Sequence, residues 1–161
     1  MSDACAVRHA EPYDWAWVEA RLRRRWGGPT MVSRGVSHDV RRCPTLVAET
    51  GGAPSGFLAY ALTPPQCEVV VIDAFERFRG VGTALMAAVV REARHAHCAR
   101  LWLVTTNDNL DALRFYQRRG MTLSALHRHA ISEARRVKPA IPSVGYYGIL
   151  IRDEIELEQL L

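Results

Sequence analysis

The chain has 161 residues, 48% of them hydrophobic and 24% charged, with a formal net charge of +4. That length suits one domain with a sizeable core, and no apolar run approaches the roughly 18 residues of a membrane span. The positive balance fits an anionic ligand and tolerates nucleic acid without requiring either, while Cys5, Cys43, Cys67 and Cys98 are too dispersed for a C-x-x-C metal site or a disulfide framework.

The N-terminus lacks a basic segment followed by an apolar one, so a reduced, cytoplasmic protein is expected. Ala6 to His9 reads as a short strand. Pro12 suits a first helical turn. Trp15, Val18 and Leu22, at i, i+3 and i+7, predict a helix from Tyr13 to Trp26 that Gly27-Gly28-Pro29 closes. Residues 27–44 carry little pattern. Met31, Val32 and Val36 fit a short helix or a loop, and a loop of that length in a compact domain is often functional. A substrate-side lid is the expectation. His38 and Asp39 stand side by side there. They read as a catalytic pair or, more plainly, as a loop histidine beside a capping aspartate, since neighbours on a strand point to opposite faces.

Thr45 to Glu49 and Gly56 to Leu62 are two strands across a Gly- and Pro-containing turn, hence a hairpin. Gln66 to Asp73 is a third strand, apolar enough to be central. Glu68 interrupts it, either at an exposed edge or facing a cleft. Arg77-Phe78-Arg79-Gly80-Val81-Gly82 follows, then a helix from Gly82 to Cys98 and a buried strand from Arg100 to Thr105. Strand, helix, strand implies a right-handed parallel crossover. The glycine-bearing turn, with the unpartnered N–H groups of the helix start, is expected to cradle a pyrophosphate. Gly80 and Gly82 would let the anion approach the backbone, and Arg77 and Arg79 add positive charge. The stretch lacks both the G-x-G-x-x-G of a dinucleotide fold and the G-K-S/T of a P-loop.

Asn107-Asp108-Asn109 supplies caps for a further helix through Tyr116, with Gly120 as its left-handed terminator. Met121 to Leu126 reads as a strand, Ile131 to Val137 as a short basic helix stopped by Pro139, and Gly145 to Ile151 as a last strand. In the final residues, Asp153 and Glu156 suit a helix cap, while Ile149, Ile151, Ile155 and Leu157 also fit period two.

Together, R-F-R-G-V-G between a strand and a helix, and N-L-D-A-L-R-F-Y-Q-R-R-G further on, resemble the GNAT acetyltransferase superfamily. Arg77, Gly80 and Gly82 match its Q/R-x-x-G-x-G/A signature. Asn109, Ala112, Phe115, Tyr116 and Gly120 match its second hallmark, with Met121 in place of the commoner Phe. The resemblance implies an α/β (α+β) GNAT-like acyltransferase domain over residues 1–161: a mixed central sheet, an antiparallel N-terminal half, splayed central strands and flanking helices. It implies acetyl-CoA as co-substrate and a primary amine of a small molecule or protein as acceptor, without nucleic acid, membrane or metal, and it leaves a homodimer open. Donor contacts would come from Val70, Val71 and Ile72 along the pantetheine, from Arg77, Phe78, Arg79, Gly80, Val81, Gly82 and Thr83 at the pyrophosphate, and from Asn109 and Phe115. An N–H near Ile72 would polarise the thioester carbonyl. Tyr116 would protonate the CoA thiolate. Glu68 leads the candidates for the base, ahead of Asp73 and His38. Tyr116 also reads as a core tyrosine and Asn109 as a helix cap. A non-catalytic acyl-CoA-binding domain is the alternative.

Overall fold

The computed structural model describes residues 4–77 and 79–161; Phe78, expected in the phosphate loop, lies outside the described residues. A seven-stranded sheet takes the order β1-β4-β5-β6-β7-β9-β8. Its strands are β1 (Cys5–His9), β4 (Thr45–Thr50), β5 (Ala53–Thr63), β6 (Gln66–Ala74), β7 (Arg100–Thr106), β9 (Glu154–Leu160) and β8 (Thr122–His127). Each pairing is antiparallel except β6 with β7. That one parallel pair is joined by α2 (Val81–His95), the expected crossover.

α2 follows from its sequence. Val81, Leu85, Ala88 and Val89 are buried on one stripe, and Ala84, Ala87 and Ala88 keep the helix slim. Its face meets Leu46, Leu58, Cys67, Val69, Leu101 and Leu103 from the sheet. Leu85 and Leu101 are fully buried, a contribution of about 1.5–3 kcal/mol each. On the opposite face, α1 (Trp15–Trp26) brings Val18 and Leu22 onto Phe57, Ala59 and Val71.

A bulge in β6 decides which side chains meet which face. Ala59 pairs with Val71 and Tyr60 with Val69, so Val70 has no register partner on β5. Cys67 and Val69 face α2 before the bulge; Ile72 and Ala74 do so after it, and Val71 turns to α1. One extra residue shifts a period-two pattern by one face.

Two elements differ from the sequence reading, and one that it left open is resolved. Residues 30–39 are neither helix nor open loop but a two-stranded ribbon, β2 (Thr30–Ser33) with β3 (Val36–Asp39). Its turn residues Arg34 and Gly35 have φ of 51° and 76°, the two positive values that a tight hairpin turn needs. Gly145 to Ile151 is no strand: it holds a 3-10 turn at Tyr146–Gly148 and a single bridge between Val144 and Leu150. The last strand is β9, where period two prevails over the Asp153–Glu156 helix cap. Asp153 instead accepts the His129 N–H at 2.9 Å, just ahead of α4 (Ala130–Val137). No helix of the described residues is long and apolar enough to cross a membrane.

Candidate active site

The parallel pairing of β6 and β7 covers Gln66 with Arg100, Cys67 with Leu101 and Glu68 with Trp102. Beyond it the strands part, and a cleft of ≈ 1310 Å³ opens between them. Val70, Ile72 and Ala74 line one wall, and Val104, Thr105 and Thr106 the other. Past Glu68, the β6 edge that would face β7 carries peptide groups with no partner strand. An extended ligand arm containing amides can pair there as a strand would. Val71 lines no part of the cleft; its side chain is buried toward α1, so only its backbone can serve the donor.

At the far end stands the start of α2. Gly80 has φ of 77°, a left-handed turn that favours glycine. The first α2-type bond beyond it is Ala84 N–H to Gly80 O at 2.9 Å, which leaves the N–H groups of Val81, Gly82 and Thr83 outside the helix ladder. Gly82 is also constrained from a side the sequence does not show. A Cβ there would lie 2.9 Å from Phe115 Cζ, so the missing side chain admits the Phe115 ring of α3 (Leu110–Gln117). Thr83 Oγ1 accepts two N–H groups of Arg119, at 2.9 and 2.6 Å, and the Arg119 guanidinium stacks 3.6 Å from the Phe115 ring centre.

The two arginines of the signature differ. Arg77 lines the cleft and pairs with Asp111 at 2.9 Å; Asp111 also accepts the Tyr147 hydroxyl at 2.9 Å. Arg79 does not line the cleft and pairs with Glu76 at 3.0 Å. Asn109 caps α3 by accepting the Ala112 N–H at 3.2 Å, and its residue also borders the cleft. The Tyr116 side chain lines the cleft too. Burial pushes its phenol up, which keeps the proton on oxygen at neutral pH.

Glu68 faces a cleft and not an exposed edge. It is buried, and it borders both the large cleft and a second cavity of ≈ 520 Å³ lined by Ser33, Arg34, His38, Pro64 and Trp102 among others. Ser33 and Glu68 are common to both linings. Burial pushes the Glu68 carboxyl up, against the opposing pull of Ser33, His38 and Arg34. His38 Nε2 stands 3.1 Å from Glu68 Oε2, without the alignment of a formed hydrogen bond. The β2–β3 ribbon is therefore a fixed wall that carries His38 and Ser33 to Glu68.

Asp73 is placed for architecture. Its carboxylate is closed off by Arg21 at 2.8 and 3.1 Å and by Arg25 at 2.8 Å, and Arg21 stacks on Phe75 at 4.2 Å. The sequence reading missed Glu154 and Ser33. Glu154 lines the cleft at the end where β9 meets Thr106. It is 2% exposed, burial pushes its carboxyl up, and the Glu68 charge adds to that. Farther along β9, burial raises Glu156 too, but hydrogen bonds from Arg100 and His127 outweigh it and hold that carboxyl low. No such signal marked Glu154: it opens the alternating Glu-Ile-Glu-Leu-Glu run of β9, which reads as one polar and one apolar face.

Comparison with known proteins places this architecture. The sequence profile of the Acetyltransferase (GNAT) family matches residues 8–121. The chain is 39% identical over 142 residues to the uncharacterised protein YdhI of Bacillus subtilis (strain 168), covering 86% of this chain and 87% of YdhI. Among solved structures, an IAA acetyltransferase from Bacillus cereus ATCC 14579 superposes with a TM-score of 0.72 at 22% identity, covering 98% of this chain and all of the other. A Bacillus subtilis acetyltransferase in complex with CoA gives 0.71 at 18% identity, over 98% and 99%.

Proposed function

The chain belongs to the GNAT acetyltransferase family, and from that premise we propose that it is an N-acetyltransferase. A single domain over residues 1–161 would move the acetyl group of acetyl-CoA to a primary amine of a small molecule or protein by direct attack. The observation that carries this reading is the opening of β6 from β7 just past Glu68, with a free strand edge that leads to free N–H groups at the start of α2. Val70, Val71 and Ile72 would pair through their backbone with the pantetheine arm. The N–H groups of Val81, Gly82 and Thr83 would hold the pyrophosphate, favoured by the α2 dipole. Gly80 makes the turn, and Arg77 and Arg79 flank it; Phe78, expected at the pyrophosphate, lies outside the described residues. Asn109 and Phe115 close the other side of the donor. A solved acetyltransferase of the same fold in complex with CoA supports a CoA donor. The four free cysteines fit a reduced, cytoplasmic setting.

The chemistry needs two proton movements. An ammonium substrate gives one proton to Glu68, whose raised affinity for protons suits a base working near neutral pH. The freed lone pair forms the N–C bond at the thioester carbonyl, and an N–H near Ile72 stabilises the oxyanion. The C–S bond then breaks, Tyr116 gives its proton to the departing thiolate, and the remaining excess N–H proton restores the phenol. Ammonium plus thioester thus yield amide, thiol and one proton.

A thiol-release assay with acetyl-CoA and a panel of amines tests this directly. Amine-dependent release of CoA is expected. Tight CoA binding without transfer to any amine would leave only the binding-domain reading, and absence of CoA binding would end both.

A further inference from the structure

Five buried side-chain atoms of the described residues lack a hydrogen-bond partner: Ser33 Oγ, His38 Nε2, Glu68 Oε1, Asp108 Oδ1 and Glu154 Oε1. All five belong to residues that line the two cavities. A buried polar atom without a partner is costly, so their gathering in one place marks a site rather than a flaw of packing. Four of them lie along the β2–β3 ribbon, Ser33 and the Glu154 carboxylate by its turn and His38 with Glu68 farther back. Each carboxylate there has one oxygen that faces a neighbour and one without a hydrogen-bond partner. Glu68 Oε2 faces His38 at 3.1 Å, and Glu154 Oε2 accepts the Arg34 N–H at 3.1 Å. Glu68 Oε1 and Glu154 Oε1 remain, together with Ser33 Oγ, whose residue is 5% exposed.

The charges around this pit do not cancel. The Arg34 guanidinium turns away from Glu154, toward Glu156 at 3.5 Å and the Trp102 ring at 5.1 Å. Arg100 is spent on Glu156 and Glu158. By Glu68 stand His38 and, farther off, Arg34. A cation that enters between Glu68 and Glu154 would relieve both burial costs at once.

Resting on the acetyltransferase reading, we propose that Glu68, Glu154 and Ser33 form the cradle of the acceptor's ammonium group, and that the acceptor is a small primary amine on an apolar body. A primary ammonium has three N–H donors, and this cradle offers three free acceptor oxygens. Glu154 is the specificity-determining member: it holds the cation while Glu68 takes the proton. The apolar body follows from the wall beyond the carboxylates, where Met31, Val32, Ile131, Ala134, Ile141 and Ile151 line the cleft. α4 and the ribbon are tied together across it, since Lys138 Nζ donates to Thr30 O at 2.9 Å.

The test is binding to the CoA-loaded protein, read by calorimetry with three probes that share one body: 2-phenylethylamine, the neutral 2-phenylethanol, and phenylalanine, which adds a carboxylate. The amine should bind, and the other two should bind at least about tenfold more weakly, as expected when a buried charged acceptor loses its donor or meets a like charge. Glu154→Gln keeps an acceptor for the Arg34 N–H and should weaken the amine by about tenfold to a hundredfold, with CoA affinity and melting temperature unchanged. An unchanged amine affinity in Glu154→Gln, equal binding of the alcohol, or no amine binding at all would overturn the proposal. The readout separates it from the transferase reading. Amine binding that depends on Glu154 without thiol release keeps the cradle and loses the enzyme; thiol release indifferent to Glu154→Gln keeps the enzyme and loses the cradle.

Discussion

β6 buries one carboxylate near each end and treats the two differently. At Asp73, two arginines from α1 occupy both oxygens. At Glu68, one oxygen faces a histidine and the other has no hydrogen-bond partner. Both residues are buried acids on one strand five positions apart, so burial alone does not separate architecture from chemistry. Completeness of pairing does. A satisfied buried ion group fixes how α1 lies on the sheet. An unsatisfied one leaves free energy of interaction for a ligand to supply.

The contrast is broken or sharpened first at Glu68. Glu68→Gln should lower kcat by about a hundredfold to ten-thousandfold, the usual worth of a general base, with donor affinity intact. The wild-type kcat/KM should rise with pH along an acid limb displaced above the ordinary carboxylate value, because burial raises Glu68. Groups facing it are His38, Arg34 and Glu154. The stability sign runs the other way. The folded state binds this proton more tightly than the unfolded one, so Glu68 costs stability once pH exceeds the folded value, and Glu68→Gln should be neutral or stabilising at pH 8 in a urea titration. A mutant with full turnover, or one that unfolds more readily at that pH, would put Glu68 in the same class as Asp73.

Asp73→Ala is the reciprocal change. It strands two guanidinium groups against a buried site and should cost about 3–5 kcal/mol of unfolding free energy. The remaining folded protein should keep the wild-type pH profile. A shifted acid limb would mean that Asp73 takes part in proton transfer after all.

Gly82→Val moves to the donor end of the same cleft. The added side chain meets the Phe115 ring, and overpacking of that kind costs about 1–3 kcal/mol. Acetyl-CoA affinity should fall with it, because α3 shifts away from the start of α2. Phe115→Ala in the same chain should recover most of the stability, measured by thermal melting. Lack of recovery would show that the valine obstructs something other than the ring.

These differences explain what was legible in the sequence. The crossover was, because its strand, turn and helix are contiguous and each carries its own periodicity. The residues that line the cleft from α2 and α3 were legible for the same reason: Gly80, Asn109 and Tyr116 sit in local motifs. The ribbon at 30–39 was not, since an Arg34-Gly35 turn lacks the Asn-Gly or Asp-Gly signal that marks such hairpins. Nor was the shared cleft of Glu68 and Glu154, which lie 86 positions apart in the chain and are each touched by the ribbon, through His38 and the Arg34 N–H. Asp73 and Glu68 looked alike because a strand pattern says which residues are buried and not which partners arrive from α1 or β3. The contact of Gly82 with Phe115 was not legible because the ring comes from α3.

The smallest effect belongs to the rim. Arg77 occupies the first position of the signature, yet it is 66% exposed along its side chain and already paired to Asp111, itself held by Tyr147. Exposed ion pairs of this kind contribute little. The backbone N–H groups at the start of α2 need no such partner and stay in place when the side chain is removed. Arg77→Ala should therefore change acetyl-CoA affinity by no more than about threefold at 0.15 M salt, where surface charge is screened within about 8 Å. A much larger loss, growing as salt is lowered, would shift the weight of donor binding from the backbone to the arginine side chain.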